Sequence, residues 1–454
     1  MRRYLFLVTA ALLICMYACT KDNNPVNPDN GNDTNDDPPA IVYGDTANAV
    51  TCPQQDIPWP TLADAPWPMA FRTPQGVARA NLPGPETGEI GMQIELPSWG
   101  VNYTQPVIGP DNKIFITPFD EGLLAYTFEG EFLWQLLTDS LKTLKRSGFC
   151  TPVIGSDGNI YSLASTTSET TKVFSVTPDG EIRWILKVTG RYISNLNIDK
   201  EGNLFFCTGD GFLHSVSSIE GQENWKTQGN GGYENYTTLR TFPISPEGGV
   251  IYVAGNNGGG TIDAISTADG NVLWSYQTTL KRLPCLMVDN AGRIYASERS
   301  GEYQSDFICL DPHTGAVIWR YVISDRKKVG GRASVIDNKG YIYVLTWDSE
   351  GSLLYSFDYE GKLRWKRNLF LEDKWFITEG SFLYCDSRNR IYTFAYERLS
   401  DIPYFYTFDQ QGEILIETKT GTTDELPASL GPNSLLFYTE ISESYVGDFI
   451  VQVK

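Results

Sequence analysis

The 454-residue sequence predicts an all-β protein, an eight-bladed β-propeller of four-stranded antiparallel blades. Three observations carry that expectation. A phrase of Gly, three residues and a large apolar residue recurs from Gly88-Glu-Ile-Gly-Met92 to Gly412-Glu-Ile-Leu-Ile416. Successive phrases are 42, 50, 41, 49, 45, 46 and 51 residues apart, the period of propeller blades built from short strands. Each unit divides into four strand-like runs separated by Gly/Asp/Asn turns, with no helical periodicity.

The elements follow in chain order. Arg2 and Arg3 precede an apolar run from Leu5 to Ile14 and then Met16-Tyr17-Ala18-Cys19. Residues 1–18 read as a signal peptide, too short to span a membrane as a helix. The small residue before Cys19 resembles the bacterial lipobox, which implies a mature chain starting at a lipid-carrying Cys19. Lys21-Asp22 resembles a surface-export signal, so either face of the outer membrane stays open. Residues 19–45, rich in Asn, Asp, Pro and Gly, are expected to be a disordered tether, since they cannot bury enough apolar surface. Residues 46–87 are a Pro-rich lead-in expected to lie against the propeller, and 88–454 are the propeller itself.

Within a unit, a Pro-Val-Ile-like run comes first, as in Thr151-Pro152-Val153-Ile154. A turn and an aromatic strand follow, as in Asp157-Gly158-Asn159-Ile160-Tyr161, then an alternating run such as Leu123 to Phe128. The Gly-x-x-x-Trp strand ends the unit. Gly permits the turn, and Trp134, Trp184, Trp225, Trp274, Trp319 and Trp365 are assigned to cover the gap to the neighbouring blade. Seven complete units start near residues 105, 151, 195, 242, 283, 333 and 380. Ser434–Tyr438 and Asp448–Gln452 begin an eighth that lacks its last strand, and Gly88–Leu96 supplies it. The last blade is therefore expected to be closed by strands from both chain ends.

Asp311-Pro-His-Thr-Gly315-Ala-Val-Ile-Trp319 closely resembles the tryptophan-docking motif of pyrroloquinoline-quinone-type (PQQ-like) eight-bladed propellers. Ala264 to Trp274 is a looser copy, and Trp67-Pro68-Met69 resembles the opening of many such chains. The resemblance covers about residues 65–454. The family includes quinoprotein dehydrogenases, the outer-membrane assembly lipoprotein BamB and many other lipoproteins. The enzymes of the family imply a vicinal disulfide from adjacent cysteines, a calcium site and a catalytic Asp. This sequence has no Cys-Cys pair, and the other elements do not map onto it.

Candidate chemistry is sparse. The chain has two histidines, His214 in a third-strand run and His313 in the docking turn, both expected to be structural. No nucleophile motif accompanies either, and no Cys/His spacing suits a metal. Six cysteines after Cys19 are scattered over different repeats and are expected to be buried free thiols. No cofactor, metal or catalytic residue is assigned.

Charge is more informative. The net charge of −19 argues against nucleic acid as a partner. Six segments joining each Trp strand to the next repeat nevertheless carry 17 of the 36 basic residues and 6 of the 55 acidic ones. One basic face on an acidic body is expected, formed by Arg146, Arg191, Arg240, Arg282, Arg332 and Lys374. Such a face favours an acidic protein patch or an anionic glycan. The reading is a non-enzymatic, lipid-anchored binding or scaffold protein of the bacterial envelope, anchored to the outer membrane. A surface glycan- or small-ligand-binding lipoprotein is the alternative, and a PQQ-dependent oxidoreductase the third.

Overall fold

The structure is a computed structural model that describes residues 20–21, 41–44, 46–97, 104–118, 121–137, 150–167, 169–229, 242–255, 260–278, 286–299, 305–323, 328–348, 351–371, 374–377, 382–397, 403–420, 428–441 and 448–454. They form eight antiparallel blades. Blade 1 shows the pattern, with Val107–Ile108 innermost, then Ile114–Ile116, Leu123–Tyr126 and Phe132–Leu136 outermost. Blades 2 to 7 span 153–189, 197–227, 244–277, 287–323, 328–371 and 384–419. Blade 8 combines Ala428–Gly431, Leu435–Ile441 and Asp448–Val453 with Ile90–Leu96 as its outer strand. The closure by both chain ends is as the repeat count requires.

The strands bury both faces in their inner half, so inner and middle strands are apolar on both sides. Core side chains of neighbouring blades interleave, as where Val335, Tyr343 and Leu345 of blade 6 cluster with Cys385 and Ile391 of blade 7. The five described cysteines, Cys52, Cys150, Cys207, Cys309 and Cys385, are buried thiols outside any disulfide.

The docking tryptophans bind each blade to the next. Trp134 donates its indole N–H to Pro178 O at 3.0 Å, Trp184 to Ser218 O at 3.1 Å and Trp225 to Thr267 O at 3.2 Å. Trp274 donates to Pro312 O and Trp365 to Gln410 O, each at 2.9 Å. Trp319 packs in the same place, but its indole N–H has no partner among the described residues. Each ring lies flat on the glycine of the following phrase. A Cβ on Gly180 would come within 2.8 Å of Trp134, and one on Gly221 within 2.4 Å of Trp184. Glycine is therefore required twice, for the left-handed backbone of the turn and for the ring above it.

An acid in the turn after the inner strand is a second repeated device. Oδ1 of Asp289 accepts the amides of Ala291 and Arg293, and Oδ2 accepts the Tyr295 hydroxyl at 2.8 Å. Asp337 with Tyr343 and Asp386 with Tyr392 repeat this geometry. The carboxylate thus closes the turn and ties it to the second strand.

The N-terminal segment is part of the folded body. Ile41–Tyr43, expected to be tether, pairs antiparallel with the outer strand of blade 6 as a fifth strand, with Ile41 opposite Arg367 and Tyr43 opposite Trp365. Thr20–Lys21 pairs with Val50–Thr51. A local composition argument misses such pairings, because the free edge that accepts them lies some 300 residues away in sequence.

Residues 49–87 cross one end of the ring, where the inner strands turn into the second strands. This plug bonds to all eight blades. Cys52 N–H reaches Lys339 O in blade 6, and the Gln54 side chain accepts from Asn290 N–H in blade 5. Trp59 donates to Ile198 O in blade 3, and Ala63 N–H to Ile154 O in blade 2. Trp67 exchanges both backbone bonds with Ile108 in blade 1. Pro74 O accepts from Ile244 N–H in blade 4, Ala78 and Ala80 bond Cys385 in blade 7, and Thr87 N–H reaches Lys454 O in blade 8. Unpaired inner-strand amides would otherwise line the axis at a cost of about 1–3 kcal/mol each.

Replacing Gly221 by Ala should destabilise the protein by about 2 kcal/mol or more, from overpacking and backbone strain together. Gly249→Ala, where nothing lies within 4 Å of the added Cβ, is the control. Denaturant midpoints for the two variants check this; equal midpoints would refute the docking account.

Candidate functional site

The residues expected to form a basic face divide into three groups. Arg146, Arg240 and Arg282 lie outside the described residues, as does Cys19. Arg332 falls within strand Lys328–Ile336 and Lys374 within strand Lys374–Ile377, on described backbone whose side chains are not. These two were expected in connecting segments; Arg332 falls in the register break between Val329 and Ser334, and Lys374 opens a separate strand that pairs back onto Leu371. Arg191 is exposed beside Tyr192, its carbonyl accepting from Gly209 N–H. Arg191 is thus the one of the six whose side chain is described.

The described concave features lie elsewhere. The first is in the plug. Arg72 is buried with its guanidinium on four acceptors: both Asp56 oxygens, Pro66 O and Arg79 O. Burial works to raise the Asp56 carboxyl, but the Arg72 hydrogen bonds and charge outweigh it and hold it below the usual carboxylate range. Phe71, Arg72 and Ala78 all have left-handed backbones, at φ 58, 70 and 49°. Each costs of order 1–3 kcal/mol and persists only when its surroundings over-determine it. Here the bonds to Gln105, Asp56 and Cys385 do so. A cavity of about 340 Å³ opens beside this cluster, walled by Trp59, Leu62, Pro68 and Pro74 with Asp56 and Arg72 at its polar side. Among the cavity-lining atoms, the Thr73 hydroxyl is buried without a partner. Arg79, also buried, has one guanidinium nitrogen without a hydrogen bond among the described residues, and burial lowers its pKa.

The second feature is a groove of about 660 Å³ at the seam between blades 8 and 1. Its cause is legible in the repeat. Met92 stands where six other phrases have Trp, and its sulfur lies over Gly130. A thioether covers less than an indole, and Phe132 of blade 1 is 58% exposed, against 39% for Ile182 and 40% for Val317 at the matching position beside docked indoles. Ile94, Leu124 and Tyr126 form the walls, and Glu95 and Glu129 are the acidic groups of the lining.

His214 is buried in blade 3, in a network that reaches the surface at Glu223. Its Nε2 is 2.8 Å from Thr208 Oγ1 and its Nδ1 2.6 Å from Glu223 Oε1, while the ring stacks on Phe206 at 5.0 Å. The order hydroxyl, imidazole, carboxylate resembles a nucleophilic triad, but Thr208 is fully buried and bonds Asp210. The network is structural. Burial lowers the imidazole pKa, and the opposing pull of Glu223 does not restore it.

Among the described residues, no group of three or more His, Cys, Asp or Glu could hold a metal ion, and no helix is long and apolar enough to cross a membrane. The buried cysteines sit singly in separate parts of the fold. The vicinal disulfide implied by resemblance to the quinoproteins cannot form here, so the residues do not fit the quinone site in that form.

Comparison with known proteins returns one family model, described as outer membrane protein assembly factor BamB, over residues 120–303 and 173–398. A search of curated sequences gave no match. Among solved structures, quinohemoprotein alcohol dehydrogenase from Comamonas testosteroni aligns with a TM-score of 0.60 at 10% identity, covering 87% of this chain and 80% of the other. A europium-containing methanol dehydrogenase aligns with 0.57 at 11% identity, covering 86% and 98%. BamB from Moraxella catarrhalis aligns with 0.40 at 15% identity, covering 65% and 94%. At these identities the dehydrogenase likenesses establish the propeller fold alone.

Two stability tests follow from the site. Asp56→Asn should cost about 1–2 kcal/mol at neutral pH, the pair being half in solvent on the Asp side. The native stability from this pair is present above the ordinary Asp value near 4 and lost as pH falls through the lowered one. For His214, the unfolded chain takes up the proton first, so stability held above about pH 6.5 declines below it. Urea midpoints from pH 7 to 5 should flatten in His214→Gln; an unchanged slope would place the titration elsewhere.

Proposed function

Because the chain belongs to the family of the outer membrane protein assembly factor BamB, we propose that it is a lipid-anchored, non-enzymatic scaffold of the bacterial outer membrane that presents propeller surfaces to a protein partner. The observation that carries this reading is the plug. One end of the axis is filled by residues 49–87, which bond to all eight blades and make the ring a rigid disc. A disc so braced can hold surface groups in fixed positions, which lowers the ordering cost of binding. The signal sequence and Cys19 supply the anchor, which meets the folded body through Thr20–Lys21 paired with Val50–Thr51. The basic segments remain a candidate surface for an acidic partner. The 340 Å³ plug cavity favours a second reading, a small-ligand-binding lipoprotein, since its volume and mixed lining suit a compact ligand.

Affinity capture of the tagged, lipidated protein from detergent-solubilised envelopes, at low and high salt, tests the proposal. A near-stoichiometric protein partner is expected, released by salt and by charge reversal at Arg282 and Arg332 if the basic segments bind it. Cys19→Ala should leave the protein in the soluble fraction. Recovery of the protein alone at both salt concentrations would refute the scaffold reading.

A further inference from the structure

We propose that the groove at the seam of blades 8 and 1 is a docking site for an extended segment of a partner protein, apolar with basic flanks, which adds to blade 8 as a fifth strand. This rests on the scaffold reading and names a place on the molecule where it acts.

The molecule already contains one such strand. Ile41–Tyr43 lies along the outer edge of blade 6, opposite Trp365, Lys366 and Arg367. Trp365 is the fourth residue after Gly361, and Met92 is the fourth after Gly88. Met92, Gln93 and Ile94 are therefore the edge positions of blade 8 that correspond to Trp365, Lys366 and Arg367. Those three residues line the groove. Ile90–Leu96 is the last strand of its sheet, paired on one side with Asp448–Val453. Its outer edge is the place where a further strand would hydrogen-bond.

Shape distinguishes this edge from the others. At six junctions an indole fills the space between outer strands, and at the junction of blades 7 and 8 Ile416 lies over Gly88. At the seam Met92 fills it incompletely, and the exposed Phe132 ring forms an apolar wall beside the free edge, in edge contact with Tyr126 at 5.8 Å. A strand laid on Met92–Ile94 would place alternate side chains into that depression.

Charge decides the kind of occupant. The edge taken by Ile41–Tyr43 carries Lys366 and Arg367, and that strand follows Asp36-Asp37 in sequence. Among the described residues that line the seam, the charged ones are Glu95 and Glu129, with Lys454 lying beside Gly91 at one end of the edge strand. The seam would repel the chain's own acidic arm and attract a segment with lysine or arginine beside its apolar core.

The test uses the full-length protein and two labelled peptides. Lys-Lys-Ile-Val-Tyr-Gly reproduces the native added strand with basic flanks, and Asp-Asp-Ile-Val-Tyr-Gly carries acidic ones. Fluorescence anisotropy gives affinity, and amide hydrogen exchange locates the site. The basic peptide should bind at least tenfold more tightly than the acidic one and slow exchange in residues 90–96. Glu95→Lys with Glu129→Lys, both exposed and so tolerant of change, should reverse the peptide preference, and Phe132→Ser should weaken binding of either. Unchanged exchange at 90–96, equal affinity for both peptides, or protection that grows with protein concentration alone would overturn the proposal, the last by making a second copy the occupant. If the double variant still captures the envelope partner, the seam is not its site and this inference falls while the scaffold reading stands.

Discussion

The ring depends on an indole lying on a glycine. Each docking tryptophan leaves the outer strand of one blade and covers the turn of the next, with five of the six indole N–H groups on a carbonyl of that turn. The contact buries a large apolar ring and satisfies its one donor. It also fixes the spacing of adjacent blades, because the flat ring tolerates no Cβ beneath it. The glycine and the tryptophan are therefore one device written at two positions, and a change at either is felt across the junction.

A ring joined in this way still has an inner problem. Eight inner strands present backbone edges to the axis, and buried amides need partners. The plug resolves this by running as an irregular strand from blade to blade. Its left-handed residues Phe71, Arg72 and Ala78 are the consequence. A chain that must turn sharply to meet several edges in a few residues cannot stay in the extended region. The Arg72–Asp56 pair then holds the turn from below. The plug and the docking ladder thus stabilise opposite edges of the same blades, and together they make the ring rigid enough to present outer surfaces.

Departures from the repeat are where the surface acquires individual character. Met92 replaces an indole and leaves a groove, while blade 6 gains an added strand from the chain's own N-terminal arm. Both occur on outer edges, where the fold constrains side chains least. His214, by contrast, departs from neighbouring repeats inside the fold and is absorbed into a network with Thr208 and Glu223. A residue type suggestive of chemistry becomes structural once burial removes access to it.

Much of the fold was legible in the chain because its signals are local and repeated. The Gly-x-x-x-Trp spacing, the four runs per unit and the split eighth blade all follow from period and turn chemistry. The turn before each aromatic strand was also visible, but the bonds of Asp289, Asp337 and Asp386 to tyrosines on the next strand needed coordinates. The candidate site was hardly legible. Clustering of basic residues in connecting segments is a statement about sequence, and only Arg191 of the six has a described side chain. The plug, the fifth strand on blade 6 and the seam groove are products of pairing between segments far apart in the chain. Period and composition by themselves determine what each blade is, since a blade's strands are neighbours in sequence. What covers the axis, which edge is occupied and which is left open are decided by tertiary structure, because those contacts form between groups that no local pattern brings together.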